Sequence, residues 1–207
     1  MDFQVKYKNE RDVEIPLLID FIGKHKDIKK ALDVGCYGAL YLEKVKKIVK
    51  VLDGIDFISG NAVSHHLNTY YHGDVLERDL SLYDLVISIS VIEHYGIKQK
   101  PTANYQDKQI ELVKRIGELS KKYIFLTFPY GLPQQHENEF TQIDKEQLKR
   151  FEQILKDFKL IKTFYFNNNP PLGNPYVKIA QVVANNMEYV RTLGVRCICV
   201  LEGCKYG

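Results

Sequence analysis

The chain has no tryptophan, only two methionines and four cysteines in 207 residues, and it has no large excess of either charge. Lys and Arg total 29 against 26 Asp and Glu, a formal net charge of +3. That balance lacks the concentrated basic footprint with which proteins hold polyanions, so nucleic acid is not the expected partner. Long apolar runs are also missing. The longest, such as Leu85 to Ile89 and Ile198 to Leu201, are far shorter than the ~20 residues that cross a bilayer. The first residues include Asp2, Lys6, Lys8, Glu10, Arg11 and Asp12, which leaves no apolar stretch for a secretory signal and makes a cytoplasmic location the expectation. Cys36, Cys197, Cys199 and Cys204 show no zinc-ligand pairing. They read as reduced residues, with Cys197 and Cys199 on one face of a strand, and no metal is expected. No internal repeat or low-complexity tract is present.

What the chain does have is alternation. Ile15, Leu18 and Ile22 lie at helical spacing within a helix expected over Asp12 to Lys26, with Pro16 tolerable in a first turn. Ala31 to Val34 reads as a strand, Leu40 to Lys50 as a helix, and Val51 to Phe57 as a second strand. Tyr70 and Tyr71 suggest a short third strand, Tyr83 to Ser88 a fourth, Asp107 to Ser120 a helix, and Tyr123 to Phe128 a fifth strand. Asp144 with Gln147 forms a capping-box variant, and Leu148, Phe151, Leu155 and Phe158 mark the helix after it. Leu160 to Phe166 is strand-like, Asn167 to Pro175 a surface loop, Met187 to Leu193 a short helix, and Val195 to Leu201 a last strand. Strands alternating with helices imply a mostly parallel α/β sheet, which binds ligands at the carboxyl ends of its strands.

The first strand-to-helix turn reads Asp33-Val34-Gly35-Cys36-Tyr37-Gly38-Ala39-Leu40. A dinucleotide fingerprint needs G-x-G-x-x-G, whereas Gly35 and Gly38 fit only G-x-x-G. That failure, and the lack of a Tyr-x-x-x-Lys pair in a plausible helix, disfavour a dehydrogenase. An acid before a glycine turn instead resembles the first motif of class I S-adenosylmethionine-dependent methyltransferases. Their cofactor carries an amino acid head and a sulfonium, so a carboxylate is useful where a pyrophosphate would be repelled. Gly54-Ile55-Asp56 ends the second strand 23 residues after Asp33, where the family keeps an acid that accepts both ribose hydroxyls. Gly73-Asp74 follows the third, where the family keeps an acid for the adenine amino group. Tyr83 to His94 resembles the fourth-strand motif D-x-V-x-x-x-x-V-x-E-H, and Tyr123 to Gly131 the fifth strand and its exit.

The resemblance runs from about Lys30 to Leu201. It implies one domain over 1–207, with 1–29 an N-terminal helical segment, and a Rossmann-like seven-stranded sheet with helices on both faces and the last strand antiparallel. It implies S-adenosylmethionine as cofactor, held by Asp33, Gly35, Cys36, Tyr37, Gly38, Asp56, Phe57, Asp74, Val75 and Ser90. The family's turn is G-C-G-T-G, and here Tyr37 and Ala39 replace two glycines. Either Gly38 takes over the close approach to the cofactor, or binding is weakened or lost.

Methyl transfer is an in-line displacement, so the protein aligns donor and acceptor and, for a hydroxyl acceptor, removes a proton. His94, past the fourth strand, and His136, in the loop after the fifth, are the candidate acceptor-side residues, with Glu93 orienting one of them. The resemblance is to a group that accompanies saccharide and polysaccharide biosynthesis, which makes a saccharide or related small-molecule hydroxyl the expected acceptor. Two alternatives stand beside it. Small-RNA 2′-O-methyltransferases place E-x-x-E-H and a later His around a divalent metal, but Ser90 replaces the first glutamate here. A noncatalytic binding module that keeps the fold is favoured by Tyr37 and opposed by the retained acids.

Overall fold

The computed structural model describes residues 10–59, 64–97, 101–136, 139–167, 177–179, 184–185 and 197–206. The apolar runs form the strands of one sheet: β1 (Lys30–Val34), β2 (Val51–Asp56), β3 (Thr69–His72), β4 (Tyr83–Ile89), β5 (Ser120–Pro129), β8 (Phe158–Asn167), β9 (Val177–Ile179) and β10 (Cys197–Lys205). Their order is β3-β2-β1-β4-β5-β10-β8-β9. Strands β1 to β5 pair in parallel, and β10 runs antiparallel to both β5 and β8. The seven-stranded sheet with an antiparallel last strand is therefore present, and the three-residue β9 adds an edge that the sequence did not suggest.

The central strands are buried on both faces, as parallel strands flanked by helices must be. Alternate residues feed two cores. Ala31, Leu85, Ile87 and Val200 pack beneath α1 (Arg11–Lys24) and α2 (Leu42–Lys46). Leu32, Val86, Leu126 and Leu201 pack with residues of α3 (Tyr105–Leu119) and α4 (Lys145–Ile154). Cys199 is buried in the second core, and the side chain of Cys197 lies outside the described part.

Several expectations are corrected. Helix α1 begins at Arg11, so Pro16 falls in its second turn. An interior proline costs about 3 kcal/mol. Burial of Val13, Ile15, Leu18, Phe21 and Ile22, at about 1.5 to 3 kcal/mol each, outweighs it. The helix expected over Leu40 to Lys50 shortens to five residues: β-branched Val45, Ile48 and Val49 hold it weakly, and Lys50 and Val51 turn to donate to the Lys29 carbonyl. Phe158 belongs to β8 rather than to the helix before it. Asp144 does cap α4 through the Gln147 backbone N–H, but the Gln147 side chain turns to Gln109 at 2.5 Å instead of completing the box. The segment around His136 is no loop: Gln134–His136 forms β6, paired antiparallel with β7 (Phe140–Gln142). Without β-branched or aromatic alternation, Gln134-Gln135-His136 carries no strand signal. The Asn167 to Pro175 loop beyond residue 167, and the Met187 to Leu193 helix, lie outside the described residues. Among the described residues no helix is long and apolar enough to cross a membrane.

Candidate functional site

The strand order reverses between β1 and β4, and the carboxyl ends on either side of that reversal leave a crevice. An open cleft of roughly 650 Å³ occupies it, walled by the ends of β1, β2 and β4 and the turn after β3. Of the sequence-predicted binding residues, Gly35, Tyr37, Asp56, Phe57, Val75 and Ser90 line it, as does His94.

Gly35 sets the shape of one wall. Its φ of 82° suits glycine, and a Cβ there would lie 2.3 Å from a Val91 methyl. The turn after β1 thus lies directly against the turn after β4. Gly38 also has positive φ, 71°, but a Cβ there would meet nothing within 4 Å; conformation, not crowding, is what favours glycine there. Asp56 spans the next gap. One carboxylate oxygen accepts from the Tyr37 N–H at 2.9 Å and the other from the Ile58 N–H at 3.0 Å. Each oxygen keeps a second lone pair for the cleft. Tyr37 does not fill the crevice; it forms part of its wall and is partly exposed.

Asp33 and Asp74 do not join Asp56 at the surface of the cleft. Asp33 is fully buried, and both its oxygens accept from the Tyr41 hydroxyl, at 2.9 and 3.0 Å. Asp74 is buried behind the wall, where one oxygen accepts from the Tyr95 hydroxyl at 2.6 Å and from the Leu76 N–H at 2.9 Å. Cys36 packs against Gly54, where a Cβ would lie 2.6 Å from its sulfur, so its role in the turn is filling space. Burial and the nearby Asp33 and Asp56 carboxylates hold its thiol well above the usual range.

A cluster that sequence reading missed lies at the β4 end of the cleft. Ser90 has φ 52°, the left-handed region, alone among the described non-glycine residues. Such backbone costs about 1 to 3 kcal/mol and persists only where surroundings hold it. Here they do: Ser90 donates its N–H to the Thr127 carbonyl at 3.0 Å and its hydroxyl to Glu14 of α1 at 3.0 Å. Glu14, fully buried, also accepts from Thr127 Oγ1 and from Arg11 Nη1, both at 2.6 Å. The fold joins Ser90 and Thr127 to a Glu14 that is 76 and 113 residues away in sequence, and no local signal reports the pairing.

His94 follows in a 3₁₀ turn (Ile92–His94). Its Nδ1 lies 2.6 Å from the Glu139 carbonyl. A carbonyl only accepts, so Nδ1 carries the proton and the neutral ring has its lone pair on Nε2. Phe140 of β7 meets the ring edge-on at 5.8 Å, so the β6–β7 hairpin braces His94. Glu93 is buried, with one oxygen 3.9 Å from His94 Nε2 and the other without a partner among the described residues. His136 ends β6 on the same hairpin, and its side chain lies outside the described part. No group of three His, Cys, Asp or Glu side chains suited to a metal forms among the described residues.

No protein-family model and no curated protein matches the chain. Solved structures do. Magnesium protoporphyrin IX methyltransferase from Synechocystis with bound S-adenosylmethionine aligns over 100% of this chain and 87% of its own, at 14% identity and a TM-score of 0.58. The 1,6-didemethyltoxoflavin N1-methyltransferase of Burkholderia thailandensis aligns over 98% and 84%, at 12% identity and 0.62. The N-methyltransferase NodS of Bradyrhizobium japonicum WM9 aligns over 96% and 89%, at 11% identity and 0.57. The fold is that of the class I methyltransferases. At these identities the likeness is one of architecture. In this methyltransferase fold the cleft sits at the strand-order reversal, and the residues described above decide what it can hold.

Two acids of this methyltransferase fold are largely uncharged near neutrality. Burial pushes Glu93 from 4.5 up to about 8. Burial also raises Asp33 from 3.8 to about 8, against the opposing hydrogen bond from Tyr41. Between about pH 4.5 and 8 the folded chain keeps protons that the unfolded chain has released, so stability falls as pH rises through that window and levels off above it. Glu93→Gln removes one of these protonations. Thermal melts are expected to show the variant close to the wild type near pH 5 and clearly more stable than it near pH 8.5, where the wild type no longer gains from its retained proton.

Proposed function

We propose that the protein is an S-adenosylmethionine-dependent methyltransferase. The observation that carries the reading is Asp56: a carboxylate at the end of β2, facing the cleft, with each oxygen held by one backbone N–H. A vicinal diol presents two hydroxyl donors to such an acceptor, as a ribose does. The Gly35 turn packed against Val91 forms the other wall, and Phe57, Val75 and Tyr95 supply apolar and aromatic surface for a flat ring between. Asp33 and Asp74 brace the turns on either side through Tyr41 and Tyr95 rather than touching the ligand. The cofactor would supply an electrophilic methyl group on a sulfonium.

The chain's own part is alignment and proton removal. His94, in the lining, donates from Nδ1 to the Glu139 carbonyl, so its neutral form carries the lone pair on Nε2, as a base toward a hydroxyl requires. We therefore read the acceptor as a small-molecule hydroxyl, a saccharide being the class that the sequence resemblance favours. A metal-assisted RNA reaction is the weaker reading, because Ser90 is committed to Glu14 and Arg11 rather than to a ligand set.

Asp56→Ala removes two charge-assisted acceptors worth about 1.5 to 3 kcal/mol each, so S-adenosylhomocysteine affinity measured by calorimetry should fall at least a hundredfold. Asp56→Asn, which retains one acceptor, should lose less; near wild-type affinity in both variants removes the assignment. His94→Gln should keep S-adenosylhomocysteine affinity within a few-fold. In assays with labelled S-adenosylmethionine and a panel of small hydroxylated acceptors, it should slow transfer by about 10²- to 10⁴-fold. Undiminished transfer excludes His94 as the base.

A further inference from the structure

We infer that Glu14 is a positioning residue of the cleft: its buried carboxylate, reaching from α1 across the ends of β4 and β5, holds Ser90 in the left-handed conformation that shapes the cleft wall. The inference rests on the proposed methyltransferase reading for its ligand and on hydrogen bonding for its substance.

The bonding is directional and closed. Ser90 Oγ donates to Glu14 Oε1 at 3.0 Å and accepts from Arg11 Nη1 at 3.1 Å. Thr127 Oγ1 donates to the same Glu14 oxygen at 2.6 Å and accepts from the Ser90 N–H at 3.1 Å. Each hydroxyl thus uses its one donor and one of its two acceptor lone pairs within the cluster. The second carboxylate oxygen takes the Arg11 guanidinium at 2.6 Å. Only an acceptor at position 14 satisfies both hydroxyls at once. Removing it leaves two buried or half-buried O–H groups and one guanidinium to find other partners.

The consequence reaches the ligand side through two residues. Ser90 lines the cleft, and Val91 lies so near Gly35 that no Cβ fits between them. The Val91 carbonyl accepts from the His94 N–H at 3.0 Å. A change of backbone at Ser90 therefore displaces the contact that sets the cleft's width and the turn that carries His94. On this account α1 is part of the binding site, although none of its residues lines the cleft.

The test compares wild type, Glu14→Ala, Glu14→Gln and the double variant Glu14→Ala/Ser90→Gly. Hydrogen exchange at amides 91–95 is measured without ligand, and S-adenosylhomocysteine affinity by calorimetry. Glu14→Ala should accelerate exchange at these amides at least tenfold and weaken the ligand at least tenfold. Adding Ser90→Gly should restore affinity to within about threefold, because glycine adopts the left-handed region without help. Glu14→Gln retains one acceptor and should lie between wild type and alanine, which keeps the test open if the alanine variant does not fold. Wild-type exchange at 91–95 in the folded Glu14 variants overturns the inference, as does a double variant that binds no better than the single. A wild type that gives no heat with S-adenosylhomocysteine overturns the methyltransferase reading instead, and the exchange data alone then decide the role of Glu14.

Discussion

The contact between Gly35 and Val91 is the constraint on which the site depends. The turn after β1 and the turn after β4 meet there with no room for a side chain. The parallel register of β1 on β4, with Asp33 opposite Ile87, brings both turns to the same edge of the sheet. Because they touch, the two turns form one continuous wall of the crevice at the strand-order reversal. Asp56 then ties the glycine turn to the exit of β2 through the Tyr37 and Ile58 amides. Rigidity of this kind fixes a carboxylate in space without consuming all its lone pairs, which is what a polar ligand group needs.

Electrostatics follow from the same crowding. Asp33 and Glu93 lie where water does not reach, and burial raises both to about 8. Asp56, at the surface of the cleft, is the carboxylate left to face a ligand. Position relative to solvent, more than residue type, separates its role from those of Asp33 and Asp74. Tyrosines take over the buried acids: the hydroxyls of Tyr41, Tyr83 and Tyr95 donate to Asp33, Asp53 and Asp74. Part of the chain's aromatic content thus supplies hydrogen-bond donors to acids inside the protein.

The succession of strands along the chain was legible in the sequence because each strand is a short apolar run between turn residues, and the turns carry acids and glycines; their order across the sheet was not. Asp56 and Gly35 were legible for the same reason. The separation of Asp56 from Asp33 and Asp74 was not, since spacing places a residue at a strand end but does not say which tyrosine will cover it. Tyr37 read as a possible obstruction, yet its backbone donates to Asp56 and its ring borders the cleft. The β6–β7 hairpin escaped notice because glutamines and a histidine give no strand pattern, and so did its support of His94. Arg11 and Glu14 looked like ordinary charges at the start of a helix. Their partners, Ser90 and Thr127, are 76 and 113 residues from Glu14, a pairing that only the assembled sheet creates.

The most direct test of the account is calorimetric titration of the wild-type protein with S-adenosylhomocysteine and, in parallel, with NAD. The account requires saturable binding of the first ligand with one site per chain and no heat with the second. Absence of binding to S-adenosylhomocysteine, or binding of NAD in its place, would contradict it.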